Sequence, residues 1–134
     1  MQKRNGAGGA AALVQVLNLD SVPLLKGYVV SVDGEGGATR WDGVSDAAGM
    51  MKVDTQPGQV GIMLLSGPLT MEDWTEVTGT ETLGQAHYWA DPNDLGKLTW
   101  VVPTTPSQLI QQVGYPVSYT TFNVQIEPAI LIGV

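Results

Sequence analysis

The chain of 134 residues predicts an all-β fold, a small β-barrel or β-sandwich with a flexible N-terminal arm and at most one short helix. Three observations carry that expectation. The 17 glycines and 8 prolines place turn residues along the whole chain. A hydrophobic content of 43% against 14% charged residues can fill a core and argues against general disorder. Two stretches alternate with the period of a half-buried strand. Tyr28, Val30 and Val32 share one face against Val29, Ser31 and Asp33, and Phe122, Val124 and Ile126 share one face against Asn123, Gln125 and Glu127.

The length suits one core, so residues 13–134 are expected to form a single β domain behind an arm of residues 1–12. The arm is rich in Gly and Ala and starts with Lys3 and Arg4. Such a composition holds no backbone conformation by itself. Its basic start and apolar run imitate a signal peptide faintly, but Gln15 interrupts the run and no small-x-small site follows, so a flexible arm is the better reading. Gly6, Gly8 and Ala11 fit a loose dinucleotide pattern, yet no βαβ pattern follows them.

Residues 13–19 alternate only partly and suit a strand or a short helix. Asp33-Gly34 marks a hairpin whose return strand, 38–42, carries Trp41. Residues 59–66 form a strand with apolar residues on both parities, expected to be buried on both sides and broken by Gly67-Pro68. Thr70-Met71-Glu72-Asp73 has the form of a capping box before one or two helical turns at Trp74. Strands follow over 85–89 and 97–102, with a turn at Asp91-Pro92-Asn93-Asp94 between them. Residues 108–113 are ambiguous between helix and strand, because Leu109, Ile110 and Val113 fit a helical face between flanking prolines. The tail Ile130-Leu131-Ile132 is too apolar to stand in water, so it should close a sheet or bury against another subunit.

A net charge of −7, from 13 acidic and 6 basic residues, repels phosphate backbones and anionic bilayers, so neither nucleic acid nor membrane is expected as a partner. It suits a chain that stays soluble until it assembles. No cysteine is present, which removes thiolate catalysis, thiolate metal sites and disulfides. No apolar run reaches the roughly 18 residues of a bilayer-spanning helix.

The series Asp73-Trp74-Thr75-Glu76-Val77-Thr78-Gly79, Leu83-Gly84, Ala86-His87-Tyr88-Trp89, Gly96-Lys97-Leu98-Thr99, Pro103-Thr104-Thr105, Ile110-Gln111-Gln112-Val113-Gly114, Val117-Ser118 and 122–126 resembles, in that order, a module of tailed bacteriophage virion proteins. These are head decoration (cement) proteins, head fibres and parts of tail fibres. Gly27-Tyr28-Val29-Val30, Asp33-Gly34 and Val60-Gly61-Ile62 resemble the opening of the capsid decoration proteins. The chain departs from the pattern at His87, at Trp89 and at Gln108-Leu109. The resemblance implies a multimeric β protein, most plausibly a homotrimer, that stabilises an assembled capsid by binding its major capsid protein. Its expected place is the virion surface after synthesis in the bacterial cytoplasm. The alternative it implies is a receptor- or carbohydrate-binding module of a head or tail fibre.

Nothing in the residues singles out an enzyme, and no catalytic, cofactor-binding or metal-ligating residue is expected. His87 is the only histidine, so a triad or a His-based metal site would rest on it alone. Asp91, Asn93 and Asp94 lack the spacing of a calcium loop and read better as a turn. On the shell-binding reading, Lys3 and Arg4 with Leu13, Val14 and Val16 form the contact with the shell, and Ile130, Leu131 and Ile132 form the oligomer interface. Trp89, Asp91, Asn93 and Asp94 are the candidate ligand loop. The four tryptophans divide between ligand or interface anchors and core, with Trp74 and Trp100 assigned to the core.

Overall fold

A computed structural model describes residues 11–84, 86–104 and 109–131 and shows a nearly all-β protein built on a closed five-stranded barrel. Its strands are β1 (Ala12–Asn18), β2 (Val29–Val32), β3 (Gly37–Arg40), β4 (Gly49–Met51) and β5 (Val60–Thr70). They run in the order β1-β3-β2-β4-β5, and β1 pairs again with β5 to close the ring. Only the β1–β3 seam is parallel. Residues 13–19 therefore resolve as a strand, and alternation carries its structure: Val16 and Asn18 point inward and are buried, while Leu13, Leu17 and Leu19 face out.

The parallel seam is fastened at its end by Asp20 and Arg40. The Asp20 carboxylate accepts from the Arg40 backbone N–H at 2.9 Å, from Nε at 3.0 Å and from the second guanidinium nitrogen at 3.2 Å. Burial alone pushes the Asp20 carboxyl up, but the Arg40 hydrogen bonds outweigh it and hold the group below its ordinary value. At the start of β3, Asp33 closes the β2–β3 hairpin by accepting from the Glu35 and Gly37 N–H groups, each at 2.8 Å. The expected hairpin forms with Trp41 one residue past its return strand.

Gly67-Pro68 does not break the fifth strand, contrary to the sequence expectation. β5 continues to Thr70 and changes partners there: Leu13 to Leu17 of β1 pair with Leu64 to Val60, whereas Ser66 to Thr70 pair with the strand β10 (Thr121–Gln125). Gly67 takes the turn of the chain at φ 113°, a conformation that favours glycine. Pro68 is tolerated because beyond Ser66 no described strand pairs with β5 on the β1 side, so no ladder bond needs its missing N–H. Burial on both sides holds only for Met63 and Leu64, since Val60 and Leu65 are exposed.

From β10 an open antiparallel sheet continues through β9 (Gln112–Pro116) and β6 (Tyr88–Ala90) to the edge strand β7 (Leu98–Thr99). The ambiguous segment is thus β, split into β8 (Leu109–Ile110) and β9, and β8 pairs with β11 (Ile130–Leu131) in a separate two-stranded sheet. Gly114-Tyr115-Pro116 lies inside β9 rather than flanking it. A side chain on Gly114 would collide with the Asn123 carbonyl and come within 2.7 Å of the Phe122 ring. The helix α1 (Thr75–Thr78) is one turn long and forms no capping box. Thr70 is in β5, and Asp73 instead accepts from the Thr75 N–H at 2.9 Å and the Thr75 hydroxyl at 2.6 Å.

One core cluster runs through both sheets, from Val16, Val29 and Met50 in the barrel to Trp74, Tyr88 and Phe122 in the open sheet. Val29 and Val30 are both fully buried because β2 has the barrel on one side and the segment around Gly96 on the other. Among the described residues no helix is long and apolar enough to cross a membrane.

Candidate functional site

Two surfaces stand out, one on each half of the molecule. The first lies where the edge strand β7 meets α1. The turn before β7 is fixed by its own polar groups: Asp91 Oδ1 accepts from the Asn93 N–H at 2.9 Å, and the Asp91 N–H donates to the Lys97 carbonyl at 2.9 Å. Gly96 then fastens the turn to the barrel, its N–H donating to the Trp41 carbonyl at 3.1 Å and its carbonyl accepting from Val29 at 2.7 Å.

Between this turn and α1 is a cleft of about 230 Å³ whose lining includes Glu76, Asp91, Asp94, Lys97 and Trp100. Glu76 is the linking group. Its carboxylate accepts the Tyr28 hydroxyl at 2.9 Å and lies 3.4 Å from Lys97 Nζ. The Tyr28 hydrogen bond, with help from Lys97, lowers the Glu76 pKa, while burial and the Glu76 charge push the Tyr28 phenol up to about 12.

Trp100 is 40% exposed, which corrects its assignment to the core. It follows a two-residue edge strand, where among the described residues no neighbouring strand pairs beside it, and it meets Tyr88 at 6.3 Å in a T-shaped contact. Tyr88 in turn meets Phe122 at 5.7 Å, and Phe122 meets Trp74 at 5.8 Å, so an aromatic chain runs from the core to the surface. Trp41 and Trp74 are the buried pair, each with its indole N–H satisfied, by the Ser45 carbonyl at 2.6 Å and the Thr120 carbonyl at 2.9 Å.

The expected ligand loop is partly assembled. Asp91 and Asp94 line the cleft beside α1, and Asp91 with Asn93 lines its neighbour along β7. Trp89 is half-buried within β6 and lines neither. Trp100 takes the place expected for Trp89: the sequence predicts Trp100 inside a strand over 97–102, whereas β7 ends at Thr99 and leaves it beyond the edge. Among the described residues no group of three or more His, Asp or Glu side chains is placed to hold a metal ion. His87 is exposed, with Nδ1 2.8 Å from Gln112 Nε2.

The second surface is the outer side of β1. Leu13, Leu17 and Leu19 are 38–54% exposed, and Val60, opposite Leu17, is 63% exposed. Val14 is also exposed, at the strand's start. Val16 is not available as a contact residue, which corrects that expectation: it points into the barrel and is buried. Lys3 and Arg4 lie outside the described residues, as does Ile132. Ile130 and Leu131 close the small sheet with β8 and remain more than 60% exposed.

In comparisons with known proteins, no family model matches the chain and no curated protein sequence matches it.

Proposed function

We propose that this chain is a structural virion protein that decorates and stabilises a bacteriophage capsid by binding the assembled shell as an oligomer, a homotrimer on the resemblance noted above. The observation that carries the reading is the outer face of β1. A barrel strand that begins at Ala12 presents Leu13 and Leu17 to solvent, with Leu19 exposed just past its end, in a chain of net charge −7, directly after the segment that bears Lys3 and Arg4. Adjacent exposed apolar residues on a charged protein fit a surface that is covered on assembly. The exposed Ile130 and Leu131 supply a second apolar patch for contact between copies. The partner is the major capsid protein, and the work is mechanical, since many modest contacts repeated over a lattice reinforce one another.

The test mixes the purified protein with undecorated expanded phage heads and images them by electron microscopy, beside a chain lacking residues 1–10 and a Leu13→Asp, Leu17→Asp double variant. Protrusions at regular lattice sites, lost in both altered proteins, are the expected result. Heads that stay bare with the intact protein sink the reading.

A further inference from the structure

We propose that the open edge of the sheet is a binding groove for a linear, uncharged oligosaccharide, with Trp100 as its stacking platform. The site goes beyond shell decoration and shares no residue with the apolar face of β1. It also moves the centre of the ligand loop from Trp89 to Trp100.

The groove is a row of three clefts that share walls. A cleft of about 210 Å³ is lined by Thr80, Thr82, Gly84, Tyr88 and Trp100. Trp100 also lines the cleft of about 230 Å³ beside α1. That cleft shares Asp91, Thr99 and Val101 with a third, of about 250 Å³, which reaches Pro103 and Thr104. Each is smaller than the usual range for a drug-sized ligand, and a succession of similar small clefts fits a chain of similar units better than one compact molecule.

The lining chemistry selects the class. Threonine side chains belong to all three clefts, and Asp91, Asn93 and Asp94 add oxygen acceptors. Hydroxyl and carboxylate groups around an exposed indole match a ligand with one apolar face and many hydroxyls, which is a pyranose ring. Phosphate, sulfate and uronate ligands are disfavoured, because Glu76, Asp91 and Asp94 face one lysine, and that lysine is engaged by Glu76 at 3.4 Å. A simple cation would leave Trp100 and the threonines unused. An extended peptide added to the sheet would need a longer free edge than the two residues of β7.

The platform is pre-built. Tyr88 contacts the indole in a T-shaped arrangement, and Tyr88 is itself fixed by its hydroxyl, which accepts from the Gly84 N–H at 3.2 Å. Binding therefore requires little ordering of the aromatic groups.

The experiment titrates the full chain with maltohexaose, cellohexaose, N-acetylated chitohexaose, the matching monosaccharides and an extended Ser/Thr-rich peptide. It reads calorimetry and tryptophan fluorescence, in which the Trp100 signal is isolated by comparison with Trp100→Ala, since half-buried Trp89 also emits while Trp41 and Trp74 are buried. At least one hexasaccharide should bind saturably, more tightly than its monosaccharide. Trp100→Ala should weaken it about tenfold or more. Asp94→Asn, on an exposed turn, should weaken it without unfolding the chain, and Val44→Ser, at an exposed site that lines none of the three clefts, should leave it unchanged. The Trp100→Ala protein should still decorate heads if the intact chain does, which separates the two proposals. Binding of none of the hexasaccharides, equal affinity for a monosaccharide, indifference to both Trp100→Ala and Asp94→Asn, or preference for the peptide would each overturn the inference.

Discussion

In the barrel every strand has two hydrogen-bonded neighbours, because β1 pairs with both β3 and β5. Among the described residues the ladder of the open sheet runs out at β7, which has β6 on one side only. The two halves share β5 and one core, yet they expose different things. Closure leaves the barrel no free backbone edge, so what it offers to solvent is a side-chain face, the leucines of β1. The unclosed sheet offers an edge with a turn, a one-turn helix and an indole beside it, and three adjoining clefts form there. In the two proposals above, docking falls to the closed barrel and ligand recognition to the open, polar-lined rim.

The comparison can be broken at its shared core. Phe122 is fully buried between Trp74 and Tyr88 in the open sheet. Phe122→Ala should cost about 3–5 kcal/mol. Denaturant unfolding should remain one transition for both halves, and a separate early transition of the open sheet would show that the halves are independent units. Gly114→Ala should cost about 1–3 kcal/mol, since the added methyl meets the β10 backbone and the Phe122 ring.

On the barrel side, Asp20→Asn removes the charge that fastens the parallel seam and should cost about 1–3 kcal/mol at neutral pH. The sign with pH follows from the lowered folded pKa of Asp20. Its stabilisation is present above the unfolded value, about 3.9, and is lost as pH falls through the folded value. The gap between wild type and variant should therefore close below about pH 4, and urea unfolding across that range measures it.

The contact between the halves at Tyr28 and Glu76 is smaller. Tyr28→Phe should cost about 0.5–1.5 kcal/mol and let the Glu76 carboxyl titrate at higher pH, as read by carboxyl NMR. An unchanged Glu76 titration would detach the helix from the barrel. Of the same order, Trp100→Ala should cost about 0.5–1.5 kcal/mol, because the indole, only 40% exposed, loses its T-shaped contact with Tyr88.

Much of this was legible in the chain. The strict alternation of 122–126 became the inner strand β10, with Phe122 and Val124 buried. Asp33-Gly34 formed the hairpin it promised, and Asp91 to Asp94 formed the turn. The apolar tail found its partner in β8, while still leaving Ile130 and Leu131 exposed. Local chemistry sufficed in these places, since side-chain period and turn preference act over a few residues.

Elsewhere the sequence pointed the wrong way, because the deciding neighbour is distant along the chain. Gly67-Pro68 reads as a stop, but it is a change of partner, tolerated only because β1 ends beside Ser66 while β10 arrives 57 positions after Gly67 to pair there. Thr70 reads as a cap, yet Thr121 claims its hydroxyl at 2.7 Å across the sheet. Trp100, assigned to the core, stands at the rim for the same reason: it lies past the last strand, whereas Trp41 is buried where the Gly96 turn closes over the barrel. By itself the sequence determined the all-β class, the principal turns and the inward faces of the best strands, which follow from backbone periodicity and turn chemistry. Only the tertiary structure decided which strand closes the barrel, where the sheet is left open and which tryptophan stands at its rim, because these depend on pairings between segments far apart in the chain.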